Sequence, residues 1–96
     1  MDQAVILSTA RTPIGKAYRG IFNDTDAPTL ASFSIKASIE KAKLDPSEIE
    51  DVILGAAVQQ GSQGYNIGRL SAVSSGLPIH VPGMSVDRQC ASGLMA

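Results

Sequence analysis

Apolar positions along the chain fall into two kinds of pattern, short continuous runs and longer stretches with helical spacing. Ala4-Val5-Ile6-Leu7 is a short apolar run with two β-branched residues, and it predicts a buried strand. Pro13, Gly15 and Gly20 interrupt the next stretch, so 11–28 is expected to be mostly loop. In 29–43 two periods compete. Phe33, Ile35, Ala37 and Ile39 alternate with Ser32, Ser34, Lys36 and Ser38, which is a strand period. Ala31, Ile35, Ile39 and Ala42 also share one helical stripe, with Phe33, Ala37 and Leu44 on a second. Lys36, Glu40 and Lys43 occupy the narrow remaining face. The stretch is long for a strand, and Pro28-Thr29 offers a break followed by an N-cap. A helix is therefore predicted, apolar over most of its circumference and largely buried.

Asp45-Pro46-Ser47-Glu48 combines a capping side chain, a proline suited to the first helical position and a glutamate that reaches back to the cap. It predicts a single turn. Residues 52–58 are apolar throughout, as expected of a strand covered on both faces. A polar, glycine-containing loop over 59–64 leads to a second helix over 66–75, which Gly76 can end and Pro78 cannot continue. A proline-punctuated connection over 77–83 precedes a third strand at Met84-Ser85-Val86. A third helix is expected to open at or near Cys90. Strand and helix thus alternate three times, which predicts an α/β fold with a mostly parallel sheet covered by helices. Residues 90–96 supply less than about two helical turns, and three strands leave sheet edges without partners. The chain is therefore read as one partial, truncated domain over 1–96, ending inside its last helix.

Composition narrows the function classes. The chain has 96 residues, 44% hydrophobic and 18% charged, which suits a folded domain rather than a disordered one. The net charge of −1 comes without blocks of like charge, so neither nucleic acid nor an anionic membrane is expected as a partner. No apolar run approaches the ~20 residues that cross a bilayer. Met1-Asp2-Gln3 lacks the basic flank of a signal or transit peptide. A single cysteine excludes an internal disulfide and suits a reducing compartment, and a cytoplasmic location is expected. No Cys/His cluster offers a metal site, and Gly15 and Gly20 lack the spacing and the following GK[ST] of a phosphate-binding loop.

The chemistry-bearing segment is Val86-Asp87-Arg88-Gln89-Cys90-Ala91-Ser92-Gly93-Leu94. It places the lone cysteine at a strand-to-helix junction, with small residues after it. A helix N-terminus presents unpaired N–H groups and a positive dipole end, which favour a thiolate and an oxyanion on a carbonyl under attack. On these features alone, a nucleophile and a buried, inert cysteine both remain open.

C-A-S-G-L-M-A after V-D-R-Q resembles the nucleophile motif of thiolases. Val5-Ile6-Leu7-Ser8-Thr9-Ala10-Arg11-Thr12-Pro13-Ile14-Gly15-Lys16 resembles that family's opening strand and loop, and Asp51-Val52-Ile53-Leu54-Gly55 its second strand. Gly76-Leu77-Pro78 through Val81-Pro82-Gly83 resembles its approach to the third. The resemblance spans almost the whole chain and implies the N-terminal part of a thiolase fold. It implies acyl transfer with coenzyme A thioesters as substrates and no bound cofactor. The cysteine thiolate of the family attacks the 3-keto carbon of a 3-ketoacyl-CoA, and Cys90 matches that cysteine. The family's histidine base and second cysteine would lie beyond Ala96, so this chain by itself is expected to be inactive. The parent is expected to be a homo-oligomer, dimer or tetramer, with the third strand at the dimer interface. Two other readings are a condensing ketoacyl synthase relative, which the opening V-I-L-S-T-A-R-T-P-I-G-K disfavours, and a non-catalytic interaction fragment.

Four other positions stand out. Asp87 replaces an asparagine common in thiolases and is expected to be a hydrogen-bonded or salt-bridged residue at a strand end. Tyr65 and Ile67 stand where many relatives have glutamine and proline. His80, ten residues before Cys90, lies in a proline-flanked connection and is read as a loop residue. Arg11 and Lys16 suit a coenzyme A phosphate, but are read as solvent-facing loop charges.

Overall fold

The ambiguous stretch after Pro28 is helical. In a computed structural model describing residues 2–96, α1 spans Ala27–Ala42, starting ahead of the predicted Thr29. Asp26 is the N-cap, and its carboxylate accepts the Thr29 N–H at 2.8 Å. Pro28 then sits in the first turn, where its missing N–H costs no helical bond. Lys43 ends the helix in the left-handed conformation, φ 56°, with the Leu44 N–H donating to the Ile39 carbonyl at 3.3 Å. Burial differs from expectation. Only Ser32 is fully buried, Ile35 and Ile39 are half-buried, and Phe33 is exposed. One face of α1 packs on the core, and among the described residues the N-terminal segment covers only part of the rest.

The predicted single turn is present. Pro46–Glu48 is a 3₁₀ turn in which Asp45 accepts the Ser47 N–H and Glu48 accepts the Asp45 N–H, both at 2.9 Å. Strand β1 lies at Val52–Gly55 and pairs in parallel with β2, Gly83–Val86, in the register Val52↔Gly83 to Gly55↔Val86. β1 is shorter than the apolar run over 52–58, because its partner stops at Val86. One further bond, Ala56 N–H to Val86 carbonyl at 2.9 Å, closes the ladder, and Ala57 and Val58 are exposed. Between the strands, a 3₁₀ turn at Gly61–Gln63 leads into α2, Ile67–Ser74. Asn66 caps α2 from a left-handed backbone, accepting the Arg69 N–H and donating to the Gly83 carbonyl at 2.9 Å. α3, Ser92–Met95, comes after β2 and packs on β1.

Helix α2 rests on both strands and α1 packs against α2. The approach of α2 to the sheet depends on glycine. A side chain at Gly68 would overlap the Met84 carbonyl of β2, and one at Gly83 would come within 2.6 Å of the Arg69 backbone. The core is Ala72, Leu77 and Val81, flanked by half-buried Ile35, Ile39, Ile49 and Val52.

The predicted first strand is absent. Val5, Ile6 and Leu7 are 69%, 85% and 65% exposed and belong to no sheet. The segment lies along α1, tied by Ser8 Oγ donating to the Ser38 carbonyl at 2.6 Å and Lys41 Nζ donating to the Thr9 carbonyl at 3.1 Å. A buried strand needs cover on both faces, and the described residues supply α1 on one side only.

Candidate active site

Parallel strands end side by side, so the loops leaving β1 and β2 occupy the same end of the sheet. In open α/β sheets that end is where ligands bind. The loop after β1 begins with Ala56, whose carbonyl accepts from Gln59 Nε2 at 3.1 Å. The loop after β2 carries Cys90.

The turn that presents Cys90 is built by its neighbours. Asp87 Oδ1 accepts the Gln89 N–H at 2.9 Å, an Asx-type turn at the strand end. Gln89 takes a left-handed backbone with φ 52°. The Ala91 N–H donates to the Arg88 carbonyl and the Ser92 N–H to the Gln89 carbonyl, each at 3.1 Å. Ser92 Oγ accepts the Arg88 N–H at 2.8 Å and donates to the Gln89 carbonyl at 2.7 Å. Ser92 is buried, whereas Cys90 is exposed at the crest of the turn as a free thiol. Among the described residues this cysteine is not buried.

Behind the turn, the first residues of α3 rest on the end of β1. A side chain at Gly55 would overlap the carbonyl of Ser92 and come within 2.5 Å of the Gly93 nitrogen. The third helix expected at or near Cys90 opens at Ser92, two residues after it, and makes a single turn. Cys90 therefore lies just ahead of the helix start, in a turn held by its own hydrogen bonds.

The other tempting residues lie elsewhere. His80 precedes β2 and Cys90 comes after it, so the two sit at opposite ends of a four-residue strand, about 13 Å long. His80 is exposed and is not a partner for the thiol. Asp87 is hydrogen-bonded within the turn, in line with its structural reading. Arg11 and Lys16 are exposed. Arg11 borders an open groove of about 290 Å³ between the N-terminal segment and α1, lined also by Pro13, Phe22, Leu30 and Phe33, and Cys90 takes no part in it. Among the described residues, no three metal-ligating side chains come together, and no helix is long and apolar enough to cross a membrane.

Residues 4–96 match the family model described as Thiolase, N-terminal domain. The chain belongs to the thiolase family. It is 43% identical over 95 residues to the peroxisomal 3-ketoacyl-CoA thiolase 5 of Arabidopsis thaliana, a match covering 99% of this chain and 21% of that protein. It is 41% identical over 96 residues to an acetyl-CoA acetyltransferase of Cupriavidus necator, covering 100% of this chain and 24% of that protein. The fold matches a thiolase from Ascaris suum solved in complex with coenzyme A, with a TM-score of 0.86 and 31% identity over 95% of this chain and 23% of that one. The chain therefore spans between a fifth and a quarter of the thiolases it matches. The α/β fold expected from the strand–helix alternation is the fold of this family.

Sequence reasoning missed two features of the turn, the Ser92 brace and the Gly55 contact. Both left a signal. Glycine closing the apolar run V-I-L-G marks a close backbone approach. A serine two residues after the cysteine is a side chain able to bond the turn's backbone.

Proposed function

We propose that the protein carrying this chain is an acyl-CoA acyltransferase of the thiolase type, with Cys90 as the residue that carries the acyl group. The observation that carries this reading is the exposure of Cys90 on a braced turn at the ligand-binding end of a parallel sheet. The names of the relatives point to the substrates: a 3-ketoacyl-CoA or acetyl-CoA, with coenzyme A as second substrate. In the proposed reaction, the Cys90 thiolate adds to the 3-keto carbon. The bond between the α and β carbons then breaks, and acetyl-CoA leaves after its α carbon takes a proton. The shortened acyl group remains on sulfur as a thioester. The thiol of a second coenzyme A loses a proton, attacks this thioester and releases the shortened acyl-CoA with the thiolate restored. In reverse, the same steps form a carbon–carbon bond by Claisen condensation.

Each proton transfer needs a general acid or base. Cys90 is the only cysteine here and the only histidine is at the far end of β2, so the 96 residues by themselves are proposed to be inactive. No bound cofactor is required. A homo-oligomer, and a reducing cytoplasmic location suited to a free thiol, belong to the same proposal. Thiolysis of acetoacetyl-CoA by the protein carrying this chain, measured beside its Cys90→Ala variant, tests the reading. Activity in the parent and none in the variant is expected, and equal rates overturn it.

A further inference from the structure

Two side chains close the turn that carries Cys90, Asp87 at its start and Ser92 at its end. The exposure of Ser92 is 4%, and its single hydroxyl oxygen serves two backbone groups at once, the Arg88 N–H at 2.8 Å and the Gln89 carbonyl at 2.7 Å. Those groups lie on the approach to the cysteine, and Ser92 itself lies beyond it, so the hydroxyl ties the two sides of Cys90 together. Ser85 also serves two groups, accepting the Gly68 N–H and donating to Asn66 Oδ1, each at 3.0 Å, but it joins β2 to the start of α2 rather than the two sides of one residue. Ser32, Ser34 and Ser75 donate to carbonyls three or four residues back in their own helices. Each satisfies its own hydroxyl by this common helical bond.

Two further observations bear on what the brace holds. Gln89 is left-handed at φ 52°, a conformation that costs a residue with a side chain roughly 1–2 kcal/mol. It borders Cys90 directly, and its N–H and carbonyl are both engaged, by Asp87 and by Ser92. Ser92 itself is fixed from behind, because its backbone rests where a side chain on Gly55 would be. The chain of support therefore runs from β1 through Ser92 to the turn and its thiol.

We propose that Ser92 is a positioning residue for the Cys90 nucleophile, its buried hydroxyl holding the turn in the one geometry that directs the thiol at a substrate carbonyl. The inference rests on the reading of Cys90 as the acyl carrier. Alanine at 92 removes both hydroxyl bonds, leaves the Arg88 N–H without its partner and leaves the left-handed Gln89 held only by Asp87 and by the Ser92 N–H. Threonine keeps the hydroxyl. A small displacement of a reacting atom is enough to matter, since about 1 Å can cost 100-fold in rate.

The test uses Ser92→Ala, Ser92→Thr and Cys90→Ala in the protein that carries this chain. Readouts are kcat and KM for thiolysis of acetoacetyl-CoA, the rate of iodoacetamide labelling of the Cys90 peptide, and the thermal midpoint. Ser92→Ala is expected to lower kcat by roughly ten- to a hundredfold with KM within about twofold. Ser92→Thr is expected to recover most of that loss. Labelling of Cys90 in Ser92→Ala should stay within about twofold, because an exposed thiol remains reachable. An unchanged kcat in Ser92→Ala, with Cys90→Ala inactive, overturns the role of Ser92 alone. A kcat loss that threonine fails to restore, or that accompanies loss of the folded state, also overturns it by reducing Ser92 to a packing residue. Full activity in Cys90→Ala overturns the reading of Cys90 and this inference with it.

Discussion

Replacing Gly55 with alanine tests the support beneath the Cys90 turn. Gly55 is outside the left-handed region, so alanine meets no backbone penalty there and the effect is steric. The added methyl would sit 2.5 Å from the Gly93 nitrogen and closer still to the Ser92 carbonyl, whereas ordinary contacts begin near 3.4 Å. The opposing atoms are backbone and cannot rotate aside. The start of α3 must therefore retreat by about an ångström or β1 must bend. Overpacking of this kind costs about 1–3 kcal/mol. Restricting the unfolded chain returns about 0.4–1 kcal/mol, so a net destabilisation of roughly 1–2 kcal/mol is expected. Ser92 moves with α3, and its two hydrogen bonds carry the shift into the turn beside Cys90. At about 1 Å of displacement, kcat/KM is expected to fall roughly a hundredfold, well beyond what the lost stability explains. Urea unfolding and thiolysis kinetics on the same preparations read both effects. Wild-type stability together with wild-type kcat/KM would mean that α3 does not bear on β1, and the expectation would fail.

Three further outcomes rest on the fold. Ser71 is fully buried and its hydroxyl has no partner among the described residues, so Ser71→Ala is expected to stabilise the protein by about 1 kcal/mol in urea unfolding. The Arg69 guanidinium donates to the Val81 carbonyl and, at 3.0 Å, to the Ile79 carbonyl. Lysine cannot span both, so Arg69→Lys is expected to cost about 1–2 kcal/mol by the same assay. Hydrogen bonds from Thr29 and Ser47 hold the Asp26 and Asp45 carboxyls below their ordinary value of 3.8. Carboxyls depressed in the folded state contribute stability that is present above that value and is lost as pH falls through the lower, folded one. The thermal midpoint is expected to drop on acidification below about pH 3.8, and less steeply in a doubly substituted Asp26→Asn, Asp45→Asn protein.

The sequence was most legible where one local rule decides a residue's place. Asp45, Pro46 and Glu48 build their turn from three neighbouring side chains, and no distant contact is needed. The parallel strand pair was legible from the apolar runs and the helix between them, although the run over 52–58 is longer than the strand it yields. The ladder length is set by the shorter partner. Val5-Ile6-Leu7 misled for the opposite reason, because an apolar run shows that a segment wants cover but not whether cover is present. The cap of α1 was misplaced at Thr29, because the Asp26 carboxylate three residues earlier reaches the Thr29 N–H. At the site, the motif located Cys90 but not the brace around it. A hydroxyl that bonds two backbone groups is a property of the folded turn, and the same serine in a helix would have met its needs alone.

Acylation of Cys90 is the step on which the proposed chemistry depends. Peptide mass spectrometry of the protein carrying this chain, after brief exposure to acetoacetyl-CoA without free coenzyme A, reads it directly. An acetyl thioester on Cys90 is expected, discharged when coenzyme A is added and absent from Cys90→Ala. An unmodified Cys90 in a preparation that is turning substrate over, or an acyl group on another residue, would contradict it.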